Sequence, residues 1–247
     1  MGTIMRGKFL VGALAVAALL AAVAVACGGG GDDEEAIQST LVPSAGATGA
    51  PTATPSAVEG QLGGMVLQLS DVPDGFSQAQ ESFSTNEEVA GAGDDAVEVL
   101  AQLTEWGRIL GHGVVYSADD TEATGVLLVD STVSLYQSDV GAASSFADAV
   151  TTARATDWAA NVGEAADVHV EEVPSLDVGD EMLWMRITGT AVIGEPAEEQ
   201  PFIQDVVLFR VGPVRGSVST VSASADAGLL VEGLVRTQIA NMAAGLQ

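Results

Sequence analysis

Cysteine occurs once in this 247-residue sequence, as Cys27, so no disulfide can form within the chain. A folded domain in it must therefore be held together by its hydrophobic core. Histidine occurs twice, as His112 and His169, and no His-Glu-x-x-His motif or zinc-spaced Cys accompanies either one. Aromatic residues make up 4% of the chain, which argues against a carbohydrate-cleaving cleft. We expect no metal site and no cofactor.

Basic residues are also scarce, at 8 Lys and Arg against 34 Asp and Glu. Arg6 and Lys8 stand at the N-terminus, so the chain after Cys27 has 6 arginines, no lysine and a formal charge of −28. Such a field repels nucleic acid and anionic lipid headgroups, and we exclude nucleic acid as a partner. Solubility in salty surroundings explains the acids more simply than a specific cation store does.

The N-terminus has the three parts of a secretory signal. They are two basic residues, an apolar run from Phe9 to Val25, and small residues before Cys27. A cysteine at the first mature position resembles a bacterial lipoprotein signal, in which the thiol is acylated and the chain is cut before it. The resemblance implies that residues 1–26 are a signal peptide. It also implies that Cys27 carries a lipid at the extracytoplasmic face of the cell membrane.

Two other interpretations of this segment stay open. Ala24 stands where the lipoprotein signal most often has Leu, which keeps ordinary cleavage and secretion as the first alternative. An uncleaved anchor helix is the second, although the apolar run is near the short limit of about 17–25 residues for a membrane span.

Composition changes after the signal and again near residue 60. Residues 27–60 are rich in Gly, Ser, Thr, Ala, Pro and acids, so we expect a disordered tether. About 33 such residues have a root-mean-square reach of roughly 30 Å. From residue 61 to 247 the hydrophobic patterning is continuous, and this length suits a single globular domain.

Periodicity within residues 61–247 predicts an α+β protein. Strands are predicted at 114–116, 126–136, 168–171, 181–190, 205–211 and 214–223. Helices are predicted at 87–106, 139–158 and 226–246. The second helix has a Ser138 cap and an inner stripe of Val140, Ala143, Ala147 and Val150. Short turns between consecutive strands predict a mainly antiparallel sheet with helices packed on it.

Few side chains stand out as functional candidates. Met182, Trp184 and Arg186 share one face of a predicted strand. Burial in the core is the first interpretation of this face, and the three residues are also the candidate ligand-facing patch. His112 is flanked by two glycines, which predicts an accessible imidazole; a turn residue before the next strand is its structural interpretation. No Gly-x-Ser-x-Gly elbow is present. An envelope hydrolase using His112 and nearby carboxylates is therefore the second hypothesis, behind a non-catalytic binding domain.

Three phrases of the chain resemble, in order, phrases of a known group of proteins. They are Leu69–Phe76, Val178–Glu181 and Phe209–Gly212. They resemble actinobacterial-type cell-envelope lipoproteins and are similar to extracellular sensor domains of bacterial Ser/Thr kinases. The resemblance implies an α+β fold with a cleft and a ligand-sensing or envelope role, without enzyme activity. The expected partner is then a small ligand or an envelope protein. The paired cysteines of the kinase sensors are missing from this chain.

Overall fold

A seven-stranded antiparallel sheet carries six helices in the computed structural model, which describes residues 55–93, 95–119, 125–161, 165–193, 198–223 and 228–247. The expected fold class is confirmed. The strands are β1 (Phe76–Ser84), β2 (Arg108–Ala118), β3 (Val126–Tyr136), β4 (Ala166–Val173), β5 (Glu181–Ile193), β6 (Glu198–Val211) and β7 (Val214–Ser222). The helices are α1 (Pro55–Gly63), α2 (Asn86–Gly91), α3 (Ala96–Glu105), α4 (Asp139–Ala155), α5 (Trp158–Asn161) and α6 (Gly228–Gly245).

The strands lie in the order β1-β2-β3-β7-β6-β5-β4. Two antiparallel runs meet where β3 pairs with β7. Helices α4 and α6 lie on opposite faces of the sheet, which we call the α4 face and the α6 face. Phe146 of α4 packs in one cluster with Leu208 of β6, whereas Val235 of α6 packs in another with Val207 and Phe209. Successive side chains of a strand point to opposite faces, so β6 is covered on both sides.

The α6 face is covered by α1, by α6 and by the segment between α1 and β1. Leu62, Met65 and Leu67 of this region are fully buried. The backbone of Leu67 is also fixed to the sheet: its N–H donates to Ser131 Oγ (2.9 Å), and its carbonyl accepts from the Tyr116 hydroxyl (2.8 Å). The segment is thereby joined to β2 and β3 without forming a strand.

Helix α1 begins at Pro55, ahead of the boundary at residue 61 that the composition predicts. Its Val58 and Leu62 are buried in the α6-face core. The packed region therefore includes residues that composition assigns to the tether. Cys27, the expected signal peptide and the tether up to residue 54 lie outside the described residues.

The inner stripe predicted for α4 is correct only in part, because Val150 packs against the α4-face core and Ala143 is half-buried. Val140 is 76% exposed and Ala147 is exposed, whereas the buried side chains are those of Ala142, Ser145, Phe146 and Ala153. The predicted cap is correct, because Ser138 Oγ accepts from the N–H of Gly141 (3.1 Å). Gly141 approaches the chain at Trp106 so closely that a Cβ would collide with the Trp106 carbonyl oxygen. This contact sets the rotation of the helix. Helix α4 ends at Ala155, and α5 is a separate short helix.

The helix predicted over 87–106 is divided into α2 and α3. Thr85 and Glu88 form a capping box at the start of α2. Asp95 accepts from the N–H of Glu98 (3.0 Å) at the start of α3. Each half has its own N-terminal cap, so one periodic pattern folds as two helices.

Gly141→Ala is expected to lower the free energy of unfolding by about 1–3 kcal/mol, because the new methyl group displaces α4 from the backbone at Trp106. The matched control is Gly233→Ala in α6, where nothing lies within 4 Å of the added Cβ. Gly233→Ala should raise the free energy of unfolding by about 0.5–1 kcal/mol, because alanine has a higher helix propensity than glycine. Urea denaturation of both variants measures the difference. Equal changes in the free energy of unfolding for the two variants would contradict the close contact between Gly141 and the Trp106 carbonyl oxygen.

Candidate functional site

A cleft of about 210 Å³ opens on the α4 face, between α4 and the α2–α3 pair. Its floor is formed by β1, β2, β3 and β7. The floor residues are small and polar; they include Ser82, Ser84, Gly113, Thr132 and Ser134. On the opposite side of the same strands, Val114, Val133 and Val218 are buried in the α6-face core. This part of the sheet therefore has one apolar and one polar face.

The two walls of the cleft differ in polarity. Helices α2 and α3 supply an apolar wall with Val89, Val99 and Leu103, and Trp106, the residue directly after α3, completes it. Helix α4 supplies the other wall, with Asp148, Ala149 and Thr152. An apolar wall beside a few placed polar groups is the usual composition of a small-molecule site.

Arg108 begins β2, and its side chain lies over the floor with only 7% of the residue exposed. Its Nε donates to Ser134 Oγ (3.3 Å) and its Nη2 donates to Ser84 Oγ (2.8 Å). Its Nη1 donates to the Ser84 carbonyl (3.1 Å) and to Asn86 Oδ1 (3.0 Å). Gly111 leaves the necessary space, because a Cβ there would collide with the guanidinium. All four acceptors are uncharged oxygens.

Arg215 of β7 is the second guanidinium at the cleft. Its Nη1 donates to the carbonyl oxygen (3.2 Å) and to Oγ (2.8 Å) of Ser145 in α4. Ser145 Oγ also lies 2.6 Å from the hydroxyl of Tyr136. Because Ser145 and Tyr136 are buried, these bonds fix one edge of the Arg215 guanidinium between the sheet and α4.

Burial lowers the pKa of Arg108 to about 10; the nearby Tyr136 acts in the opposite direction, and the positive charge of Arg215 lowers the pKa further. Arg108 is therefore still protonated at neutral pH. The cleft holds two guanidinium groups and one carboxylate, that of Asp148. The chain after Cys27 has a formal charge of −28, so the local sign is opposite to that of the molecule.

Asp130 lies on the same face of β3 as Thr132 and Ser134. Its neighbours in the adjacent strands are Val115 and Ser219. Burial raises the pKa of its carboxyl group to about 7. Ser219 Oγ is buried and has no hydrogen-bond partner among the described residues. Asp130, two residues from the cleft residue Thr132 on the same strand face, is therefore a carboxyl group with a pKa near neutral pH.

His112 is inside β2 and is only 2% exposed, so both the accessible imidazole and the turn position predicted from its flanking glycines are wrong. Its ring stacks on Phe83, with 4.2 Å between ring centroids, and its Nε2 lies 3.1 Å from Glu81 Oε1. Its Nδ1 is buried and, in the described part of the chain, makes no hydrogen bond. Gly111 has a different role from the predicted one, since it makes room for Arg108.

Met182, Trp184 and Arg186 share one strand face, as predicted, and that face is the α6 face. Trp184 is 5% exposed, and its Nε1 donates to Asp205 Oδ1 (2.7 Å). The Arg186 guanidinium donates to both oxygens of Asp205, at 2.9 Å and 3.2 Å. Met182 packs at the edge of the same core. These contacts are those of a core ion-pair cluster, and none of the three residues lines the cleft described above. Their ligand-facing role stays a prediction.

Sequence reasoning missed Arg108 and Arg215. The available signal was the alternation of hydroxyl and valine side chains along β3 and β7, where Thr132, Ser134 and Ser217 are next to valines. A strand with hydroxyl groups on one face and valine on the other indicates a polar surface on that side. Which arginines reach that surface depends on the pairing of strands far apart in sequence.

Within the described residues, no group of three or more His, Cys, Asp or Glu side chains comes together as a metal site would require. Asp180 instead pairs with Arg210 (3.1 Å) and accepts from the N–H of Gly212 (2.7 Å). Of the helices described, none is long and apolar enough to cross a membrane.

No protein-family model matches the chain, and no curated protein does. Among solved structures, the chain is similar to the extracellular domain of PknH from Mycobacterium tuberculosis. The TM-score is 0.45 and the sequence identity is 12%, over 73% of this chain and 95% of that one. At this identity, residue roles do not transfer from one chain to the other.

Asp130→Asn should change how stability depends on pH. The folded-state pKa of Asp130 is raised, so its contribution to stability is complete below its ordinary pKa and is lost as the pH rises through about 7. The asparagine does not titrate. Its stability relative to wild type should therefore be greater at pH 8 than at pH 5, by on the order of 1–3 kcal/mol. Urea denaturation at both pH values measures this, with Asp74→Asn at an exposed turn as the control. A difference independent of pH would contradict the assignment.

Proposed function

We propose that this chain is a lipid-anchored extracytoplasmic lipoprotein whose domain binds a small ligand in the cleft between α4 and the α2–α3 pair, without catalysing a reaction. The observation that carries the proposal is the cleft itself. A polar sheet face that α4 does not fill is bordered by an apolar wall, and a buried arginine is held in it by four hydrogen bonds. Holding polar groups rigidly in a partly apolar cavity favours recognition of a ligand.

The non-catalytic assignment is supported by the surroundings of His112. A histidine base has to reach a reacting group, whereas this ring is stacked on Phe83 and is almost fully buried. Within the described residues, no hydroxyl group hydrogen-bonds to it. Hydrolysis would require the ring to leave this position, so binding is the better-supported function.

The extracytoplasmic location is supported by the signal-like N-terminus and by Cys27. It also suits the acidic composition, because a chain of this charge is well solvated outside the cell. The lipid on Cys27 would hold the domain at the membrane, and the tether would set its distance from the bilayer.

An envelope protein as the partner is the alternative, and it would use a different surface. The outer side of the α2–α3 pair has a shallow apolar groove that includes Val97, which is 82% exposed, and Leu100. Glu87 and Glu105 border it. Because this groove lies on the other side of the helix pair from the cleft, the two modes of binding can be tested separately.

Thr152→Trp should abolish small-ligand binding, because the indole would fill a cleft of about 210 Å³ that Thr152 lines. Thr151→Trp is the matched control, since Thr151 is exposed on the same helix. The exported full chain in a neutral detergent is titrated by calorimetry with benzoate, benzamide, benzylamine and inorganic phosphate. At least one probe should bind saturably to wild type and to Thr151→Trp but not to Thr152→Trp. If no probe binds, or if Thr152→Trp has no effect, the cleft is not the binding site.

Labelled palmitate should mark the protein in the membrane fraction of cells that express the full chain. Cys27→Ala should remove this label, because the thiol is the expected acylation site. Signal cleavage is followed in parallel from the size of the product. Label that survives the substitution would rule out lipidation at this position.

A further inference from the structure

The two arginines of the cleft are arranged in a way that a purely structural role does not require. A guanidinium that leaves water loses hydration energy, and a carboxylate partner normally offsets this loss. Arg108 is 7% exposed, and its four hydrogen bonds go to hydroxyl, amide and carbonyl oxygens. Its charge is thus solvated by neutral groups.

The surrounding residues hold this guanidinium in one orientation. Asn86 accepts from Nη1 and also donates its own amide N–H to the Arg108 carbonyl (3.0 Å), so it clamps both ends of the residue. Gly111 removes the side chain that would occupy the same space. The four bonds use four of the five N–H groups of a guanidinium. One N–H of Arg108, on Nη2, is therefore left for a ligand, and its direction is fixed. Arg215 donates to Ser145 through Nη1, so its Nε and Nη2 are the groups that can bind a carboxylate or phosphate as a planar fork.

Arg215 brings a second positive charge close to the first. Arg215 lies opposite Ser134 in the pairing of β3 with β7, and Ser134 Oγ accepts from Arg108 Nε, so one residue separates the two guanidinium groups. The charge of Arg215 accordingly contributes to the lowered pKa of Arg108. Asp148, on the facing wall, is the carboxylate of the same cleft, so two cations face one anion there. Two like charges near each other gain stability when an anion binds between them, and the gain is larger where one of them, here Arg108, is buried.

The size and the apolar wall restrict the ligand further. The cleft volume of about 210 Å³ is below the roughly 300–1,000 Å³ of sites for drug-sized ligands, so the ligand is small. Val99, Leu103 and Trp106 provide an apolar surface for the part of the ligand that carries no charge. A bare ion would leave this wall unused.

We propose that the cleft binds a small organic anion, whose carboxylate or phosphate group contacts Arg108 and Arg215 and whose apolar body lies against the α2–α3 wall. This inference rests on the proposed function and names the class of ligand for it. Recognition is by short-range contacts, because the field of the −28 chain repels an approaching anion at long range. Contacts within the cleft are screened less by salt than that surface field is.

The test uses Arg215→Gln, which removes the charge but keeps an amide donor for Ser145. Arg215→Lys keeps the charge without the planar fork. Arg236→Gln is the control, since Arg236 forms an exposed pair with Glu232 on α6. Calorimetry on the exported full chain compares benzoate, phenyl phosphate, benzamide and benzylamine, and circular dichroism melting verifies that each variant is folded. If Arg215→Gln does not fold, Arg215→Lys takes its place in the comparison.

In wild type, benzoate or phenyl phosphate should bind at least tenfold more tightly than benzamide and benzylamine. Arg215→Gln should weaken the binding of that anion at least tenfold. Arg215→Lys should weaken it less, and Arg236→Gln should leave it unchanged. Preference between benzoate and phenyl phosphate then identifies the carboxylate or the phosphate as the recognised group. Equal binding of benzamide, or anion binding unchanged in both Arg215 variants, would overturn the inference. If benzamide binds as tightly as the anions and Thr152→Trp blocks it, the cleft binds small ligands but is not specific for anions. If no probe binds, both the proposed function and the anion inference fail.

Discussion

Strands β5 and β6 are apolar on both faces, and the rest of the structure depends on covering both of those faces. Phe209 and Val207 need one layer of helices, while Leu208 and Val206 need another on the opposite side. With no intrachain disulfide available, burial of these two surfaces is the main source of stability. Helices α1 and α6 cover one face, and α4 with α5 covers the other.

The cleft exists because this double covering is incomplete. Where β1, β2 and β3 form the floor of the cleft, they are apolar towards α6 and carry hydroxyl groups and glycine on the other side. Burying such a surface under an apolar helix would leave its polar groups without partners. Helix α4 contributes to the core over β5 and β6, and the α2–α3 pair stands over β2, so a gap is left between them. The close contact of Gly141 with the backbone at Trp106 holds the two sides of this gap together at one end.

Polar groups that lie inside the sheet are treated differently on its two faces. On the α6 face, the charge of Asp205 is neutralised by Arg186 and the carboxylate accepts from Trp184, as expected of a core ion pair. On the α4 face, Arg108 is held by neutral oxygens, and Asp130 lies in the neighbouring row with a raised pKa. The first arrangement is complete in itself. The second leaves the charge of Arg108 hydrogen-bonded to neutral oxygens in place of a carboxylate, and this asymmetry distinguishes the cleft from the core.

The α+β class, strand β3 with its bounds, the Ser138 cap and the alternation around Trp184 could all be predicted from the sequence, because each follows from periodicity or from a cap within a few residues. The rotation of α4, the division between α2 and α3, and the burial of His112 could not, because contacts between distant segments determine them. The cleft is of the second kind. Arg108 and Arg215 are 107 positions apart, and only the pairing of β2 with β3 and of β3 with β7 brings them to one surface. Local sequence determined which faces were polar, and the tertiary structure decided which of these faces came together.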